Sequence, residues 1–255
     1  MNNRIGCDGR ENSLEPEDRQ REDHQFVESF KPLVEFLGKV CGPLTEIALH
    51  DTAEPDNSII AIANGDVSGR QVGSPATDFM LRILHRGLAE ERDYVAGYAG
   101  HSDMRDRELV SSTYFIRRRG RIVGMLCINT DQSAWEEFLA ATQALQRYFP
   151  LAATGQINKW MEARPQKIEH DEADRPVQED LNASVDGMGE RVIAAMVAKT
   201  GRQPDHFDFS ERLSIIRDLD ESGYFMLKGA ISVIARRLGL ADSSIYRYLH
   251  LVRRP

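Results

Sequence analysis

Apolar side chains recur at helical spacing near the end of the chain. Ile231, Ile234, Ala235 and Leu238 fall on one face, and Ile245, Tyr248 and Leu249 fall on another. Gly239 lies between the two runs, where a turn with positive φ is easiest for glycine. Asp242 or Ser243 is placed to cap the second run. A small residue at a helix crossing, a turn glycine and an apolar second helix are the packing pattern of a helix-turn-helix, expected here over 231–250. Upstream, Leu213, Ile216 and Leu219 form a helix opened by Asp208 to Glu211, and Val192, Ile193, Met196 and Val197 form another over 189–199. The last unit, 186–255, therefore reads as an all-α domain.

The first part of the chain has a different rhythm. Phe26, Phe30, Leu33, Val34 and Leu37 predict one helix that closes near Gly38. Leu44 to His50 and Ser58 to Ala63 read as a hairpin, and Tyr94 to Tyr98 as a short strand. The strongest β signal is Leu109 to Arg118 and Arg121 to Asn129, joined by Arg119-Gly120. Ser74 and Pro75 predict the start of a helix with Phe79, Met80, Ile83 and Leu84 inward. Ser133 to Glu136 is a capping box for a helix with Trp135, Phe138, Leu139, Thr142 and Leu145 inward. Hairpins flanked by helices, without a βαβ period, predict an α+β domain on one antiparallel sheet over 23–150. Residues 1–22 read as a disordered polar tail, and 151–185 as a helix end followed by an acid-rich linker.

Composition narrows the functional classes. The net charge is −8, yet from Gly223 onward Lys228, Arg236, Arg237, Arg247, Arg253 and Arg254 face only Asp242 and no other acid. Such a local excess predicts DNA binding through one basic face rather than general coating of nucleic acid. Lys228, Arg236, Arg237, Ser243, Ser244, Tyr246, Arg247 and His250 are the candidate contacts to phosphates and bases. A plain helical corner is the alternative reading of the same pattern. No apolar run approaches the roughly 18 residues of a membrane span. Cys7, Cys41 and Cys127 are widely spaced, without CxxC or a His cluster, so reduced thiols in a cytoplasmic protein and no metal or cofactor are expected. GxSxG and P-loop motifs are also lacking, so no catalytic residues are assigned. His50 and Asp51 are adjacent on a strand and should leave on opposite faces, which disfavours a His–Asp relay.

The order of several short motifs adds a family resemblance. Leu49-His50-Asp51, Asn64-Gly65, Ser68-Gly69-Arg70, Ser111-Ser112-Thr113 and Gly124 to Asp131 resemble the YheO-like family of PAS domains. Gly223 to Leu249 looks like the helix-turn-helix that accompanies that domain. The resemblance implies a transcriptional regulator with a PAS-type sensing domain. His50, Asp51, Asn64, Arg70, Ser111 and Thr113 are the candidate ligand contacts, a set that would suit an amino-acid-like or organic-acid effector. Capping of turns by Asp51 and Asn64, and pairing of Arg70 with Asp51 or Asp131, is the competing reading. DNA half-sites favour a homodimer or higher homo-oligomer, with 26–37 and 135–149 as pairing surfaces. A dimer acting by protein interaction without a ligand is the alternative.

Overall fold

A computed structural model describes residues 15–86, 92–148, 178–181 and 184–254. Its centre is a six-stranded sheet of order β2-β1-β5-β4-β3-β6. The strands are β1 (Thr45–Asp51), β2 (Ile59–Ala63), β3 (Tyr94–Ser102), β4 (Arg107–Arg118), β5 (Arg121–Asp131) and β6 (Gln178–Asp180). All pairings are antiparallel except β3 with β6. Both expected hairpins form. Arg119 (φ 52°) and Gly120 (φ 73°) turn the β4–β5 hairpin with two left-handed residues, the geometry that matches strand twist.

Two helices cover the outer face, α1 (Pro16–Glu28) and α2 (Lys31–Cys41). The single helix expected from Phe26 to Leu37 is broken at Phe30, because Pro32 has no N–H for the Glu28 carbonyl and its ring would clash with that carbonyl in a continuous helix. Val27 and Val34 pack on Ile47, Leu49, Ile116, Val123 and Leu126. The expected tail also needs correction, since residues 16–22 are helical. Glu22 and Asp23 hold that helix against Arg118, Arg119 and Arg121 at the hairpin tip, at 2.5–3.3 Å. The remainder of the tail, 1–14, lies outside the described residues.

The inner face carries Ala48, Tyr98, Phe115, Met125 and Cys127, covered by Phe79, Met80 and Ile83 of α3 (Asp78–Arg86). Thr77 caps α3 in place of the expected Ser74, its hydroxyl accepting from the Met80 N–H at 3.2 Å. Ser74 lies in an extended segment that bonds Ile59 through its carbonyl, at 3.1 Å. After β5 comes α4 (Ser133–Tyr148). Its Trp135 and Phe138, inward by helical period, are instead more than half exposed, at 53% and 58%, and stack on each other. Among the described residues no element packs extensively along that face.

The C-terminal unit comprises α5 (Val185–Thr200), α6 (Phe209–Glu221), α7 (Ala230–Arg237) and α8 (Asp242–Val252). Asp208 caps α6 as expected, and with Glu211 it forms a capping box. Ile234, Ala235, Leu238, Ile245, Tyr248 and Leu249 are buried, and Gly239 turns the chain at φ 63°. Asp242 does not cap α8; its carboxylate accepts from the Ser232 hydroxyl of α7 at 2.6 Å. The acid-rich stretch is not wholly a linker, since its end supplies β6. Residues 151–177 of it lie outside the described residues.

The two units share one apolar core, with α3 between the sheet and α6. Gly223, at the end of α6, has φ 77°, and a Cβ there would stand 2.7 Å from the Leu81 carbonyl oxygen of α3. Gly223→Ala is therefore expected to destabilise by about 1–3 kcal/mol, from left-handed strain plus the clash. Gly229→Ala, with φ 76° but open space around it, should cost less. Urea unfolding of both variants checks this, and equal losses would mean that the close approach to α3 is absent.

Candidate functional site

Helix α8 presents Ser243, Tyr246, Arg247 and His250 to solvent, with Ser244 half-buried. Its opposite face, Ile245, Tyr248 and Leu249, fixes it against α6 and α7. Arg236 and Arg247 are exposed and make no ion pair among the described residues, so both guanidinium groups are free for a polyanion. Arg237 differs, because it pairs with Glu190 at 3.1 Å and Asp186 at 3.5 Å and so ties α7 to α5. Lys228 is exposed, and its backbone N–H donates to the Asp56 carboxylate of the sheet domain at 3.1 Å. Arg253, part of the basic excess, is engaged by Asp220 at 2.6 Å.

The other candidate set divides between the two faces of the sheet. Period-2 alternation sends Glu46, Ala48 and His50 inward and Ile47, Leu49 and Asp51 outward. Cross-strand register then aligns Glu46 with Asn129, and Asn129 with Ser111, while Ala48 aligns with Cys127, and Cys127 with Thr113. Arg70 enters from the loop after β2 and donates to Glu46 at 2.5 Å and to the Ser68 hydroxyl at 3.2 Å. The Ser68 hydroxyl itself donates to the other Glu46 oxygen, and Asn129 donates to Glu46 at 2.9 Å. Tyr98 donates to Glu179 of β6 at 2.9 Å and lies 2.8 Å from the Thr113 hydroxyl.

His50, Arg70, Ser111 and Thr113 are thus brought into one buried polar cluster, whereas Asp51 and Asn64 are not. Asp51 sits on the outer face, 2.5 Å from His24 Nδ1 and accepting from the Ala53 N–H at 2.8 Å. Asn64, left-handed at φ 56°, donates to the carbonyls of Gly38, Gly42 and Thr45 and ties α2 to the sheet. The expected partners of Arg70 are also replaced: Asp131 pairs with Arg107 at 2.6 Å, and Glu46 takes the guanidinium. Glu46 could have been found from its shared strand phase with His50. Tyr98, Asn129 and Glu179 carried no local signal, because only strand register brings them here.

Electrostatics in the cluster follow from burial. Desolvation, helped by the Arg70 charge, lowers the His50 pKa to about 3, so the ring is neutral and bonds the Ser58 hydroxyl at 2.8 Å. Burial pushes the Cys127 thiol up to about 12, which keeps it protonated and inert. The Glu179 carboxyl is raised by burial, against the opposing pull of Thr77, Arg70 and Tyr98. Four polar atoms here make no hydrogen bond among the described residues: His50 Nε2, Arg70 Nη1, Ser111 Oγ and Asn129 Oδ1. Unserved polar atoms in such number are uncommon in a folded interior and call for a reason.

The His50 environment sets a pH dependence. Its folded pKa lies below the unfolded 6.5, so its contribution to stability is full above pH 6.5 and is lost as pH falls toward 3. Each tenfold loss of proton affinity on folding corresponds to about 1.4 kcal/mol. His50→Gln, which keeps a hydrogen-bonding group for Ser58, should flatten the fall in urea stability between those pH values. A variant with the wild-type slope would show that His50 is not the group being protonated.

Comparison with known proteins agrees with both halves of this geometry. A YheO-like PAS domain matches residues 21–147 and an HTH domain matches residues 189–250. An uncharacterised protein of Haemophilus influenzae is 28% identical over 236 residues, spanning 91% of this chain and 93% of that protein. The uncharacterised protein YheO of Escherichia coli K12 is 25% identical over 229 residues, spanning 89% of this chain and 85% of YheO, and the Shigella flexneri protein matches equally. The chain therefore carries a YheO-like PAS domain followed by a helix-turn-helix domain.

Proposed function

We propose that this chain is a dimeric transcriptional regulator that binds DNA through α8 and responds to a small molecule held by its PAS domain. The observation that carries the DNA-binding half is the pair of unengaged guanidinium groups, Arg236 and Arg247, beside the exposed polar face of α8. Anchored on one side by Ile245, Tyr248 and Leu249, that helix offers the other side to a major groove. Dimerisation is supported by apolar side chains left at the surface, Phe36, Val40 and Leu44 around α2 and Trp135 and Phe138 on α4. Sensing is supported by the polar cluster beneath α3, since the same helix carries the DNA-binding unit on its far side. An effector of amino-acid or organic-acid type suits a cluster that holds an arginine. No catalytic role is assigned: His50 and Asp51 leave on opposite faces, one bonded to Ser58 and the other to His24.

A regulator that works without a ligand is favoured by one observation, that the cluster is already closed around its own carboxylates. Thermal shift against a panel of amino acids and organic acids separates the two readings.

DNA selected from a random pool by the wild-type protein provides the probe for the recognition face. Arg247→Ala is expected to weaken binding by about 1–3 kcal/mol if the side chain reads a base edge. A phosphate contact would instead lower affinity alike on all sequences and reduce the salt slope by about one. Fluorescence anisotropy across a salt series distinguishes these. Unchanged affinity for Arg236→Ala and Arg247→Ala combined would rule out this face.

A further inference from the structure

Strand β6 is an unusual member of its sheet. It has three residues, it is the last strand, and its pairing with β3 is the sheet's parallel one. Its neighbouring residues face opposite ways. Glu179 points inward and is 1% exposed, with its carboxylate on the Tyr98 hydroxyl. Asp180 points outward and pairs with Arg191 of α5, while its N–H donates to the Asp78 carboxylate of α3 at 3.1 Å. One short strand thus touches the polar cluster, the covering helix and the DNA-binding unit.

The charges inside do not balance. Among the described residues Arg70 is the cluster's one cation, since His50 is neutral, and it is committed to Glu46 through Nη2. Glu179 therefore has no cation of its own at a fully buried position, where burial disfavours its charged form. Donors nevertheless go unused nearby, at Arg70 Nη1 and Ser111 Oγ, as does the Asn129 Oδ1 acceptor. Space is also restricted: a Cβ on Gly100, the register partner of Glu179, would overlap Ser111 Oγ. Room for a guest arises only when something already inside withdraws.

We propose that this cluster is a binding site for a small carboxylate-bearing molecule, and that Glu179 occupies it in the free protein as a displaceable internal carboxylate. The proposal rests on the sensing role argued above and gives it a ligand class and a means of release. An incoming carboxylate takes the Tyr98 hydroxyl and the open Arg70 Nη1, and Glu179 returns to water. Because Val185 begins α5 five positions after Asp180, withdrawal of β6 loosens the Asp180 contacts to Arg191 and Asp78. A three-residue edge strand is the least costly part of the sheet to move.

Propionate, which matches the glutamate side chain atom for atom, is the probe, with propionamide as its uncharged control. In full-length Glu179→Gly, propionate should raise the thermal midpoint in a saturable way, whereas propionamide should not. Adding Tyr98→Phe should abolish most of that rise. In the wild type, propionate but not propionamide should speed hydrogen exchange at residues 178–181. A rise with both compounds alike, or with neither, would overturn the proposal. If Glu179→Gly does not fold, the wild-type exchange experiment decides alone, and unchanged exchange overturns it. DNA affinity plays no part in these readouts, so failure of DNA recognition and failure of the carboxylate site remain distinguishable.

Discussion

Arg70 and Glu46 meet at 2.5 Å inside the sheet domain, both almost wholly buried, and the position of what lies above them depends on that contact. Two ions taken out of water are costly unless their remaining hydrogen-bonding capacity is met, which Arg70 does only in part, its Nη1 staying open. Glu46 meets it fully, accepting from Arg70, Ser68 and Asn129, that is, from a loop and from the adjacent strand β5. The pair thereby fastens the segment between β2 and α3 onto the inner face. That segment continues into Gly73 and Ser74, which bond Ile59 at 2.8 and 3.1 Å, and then into Thr77, which opens α3. A carboxylate buried at the first strand thus sets where the covering helix starts.

Helix α3 then packs on both of its sides. Phe79, Met80 and Ile83 belong with the sheet, while Leu81 approaches Gly223 on the helical side, where only a residue without a Cβ can come so close. Lys228 adds a second tie through its backbone to Asp56. The sequence implies a DNA-binding unit separated from the sensor by a charged linker. What forms instead is a continuous apolar interior, so a change beneath α3 has a packed route to α6. Coupling by this route requires that a ligand bind the docked and undocked arrangements differently, since equal affinity shifts nothing.

Legibility in the sequence followed the range of the interactions. The helix-turn-helix is readable except for its cap, because Ile234, Ala235, Gly239 and Ile245 lie in one short stretch of chain, whereas Asp242 turns to Ser232 of the preceding helix. The β4–β5 hairpin is readable for the same reason. His50, Arg70, Ser111 and Thr113 stand out by residue type, and Asp51 joins them by adjacency, although adjacency on a strand means opposite faces. Asn64 looks polar and free but spends its amide on three carbonyls of α2, β1 and the turn between them. Trp135 and Phe138 follow a helical period correctly, yet a period states which residues share a face and not whether that face is covered.

Glu179 is the hardest residue to read, for a physical reason that also bears on its role. It lies among acids in a stretch whose composition indicates solvation, and composition is a statement about the average residue. A parallel strand needs no turn beside it and leaves no local pattern, so three residues suffice to insert one carboxylate into an interior built far away in the chain. A strand this short is held chiefly by what its side chains and ends touch: Tyr98 and Thr77 at Glu179, and Arg191 and Asp78 at Asp180. Its residence in the sheet therefore depends at once on the buried polar cluster, through Glu179, and on α3 and α5, through Asp180.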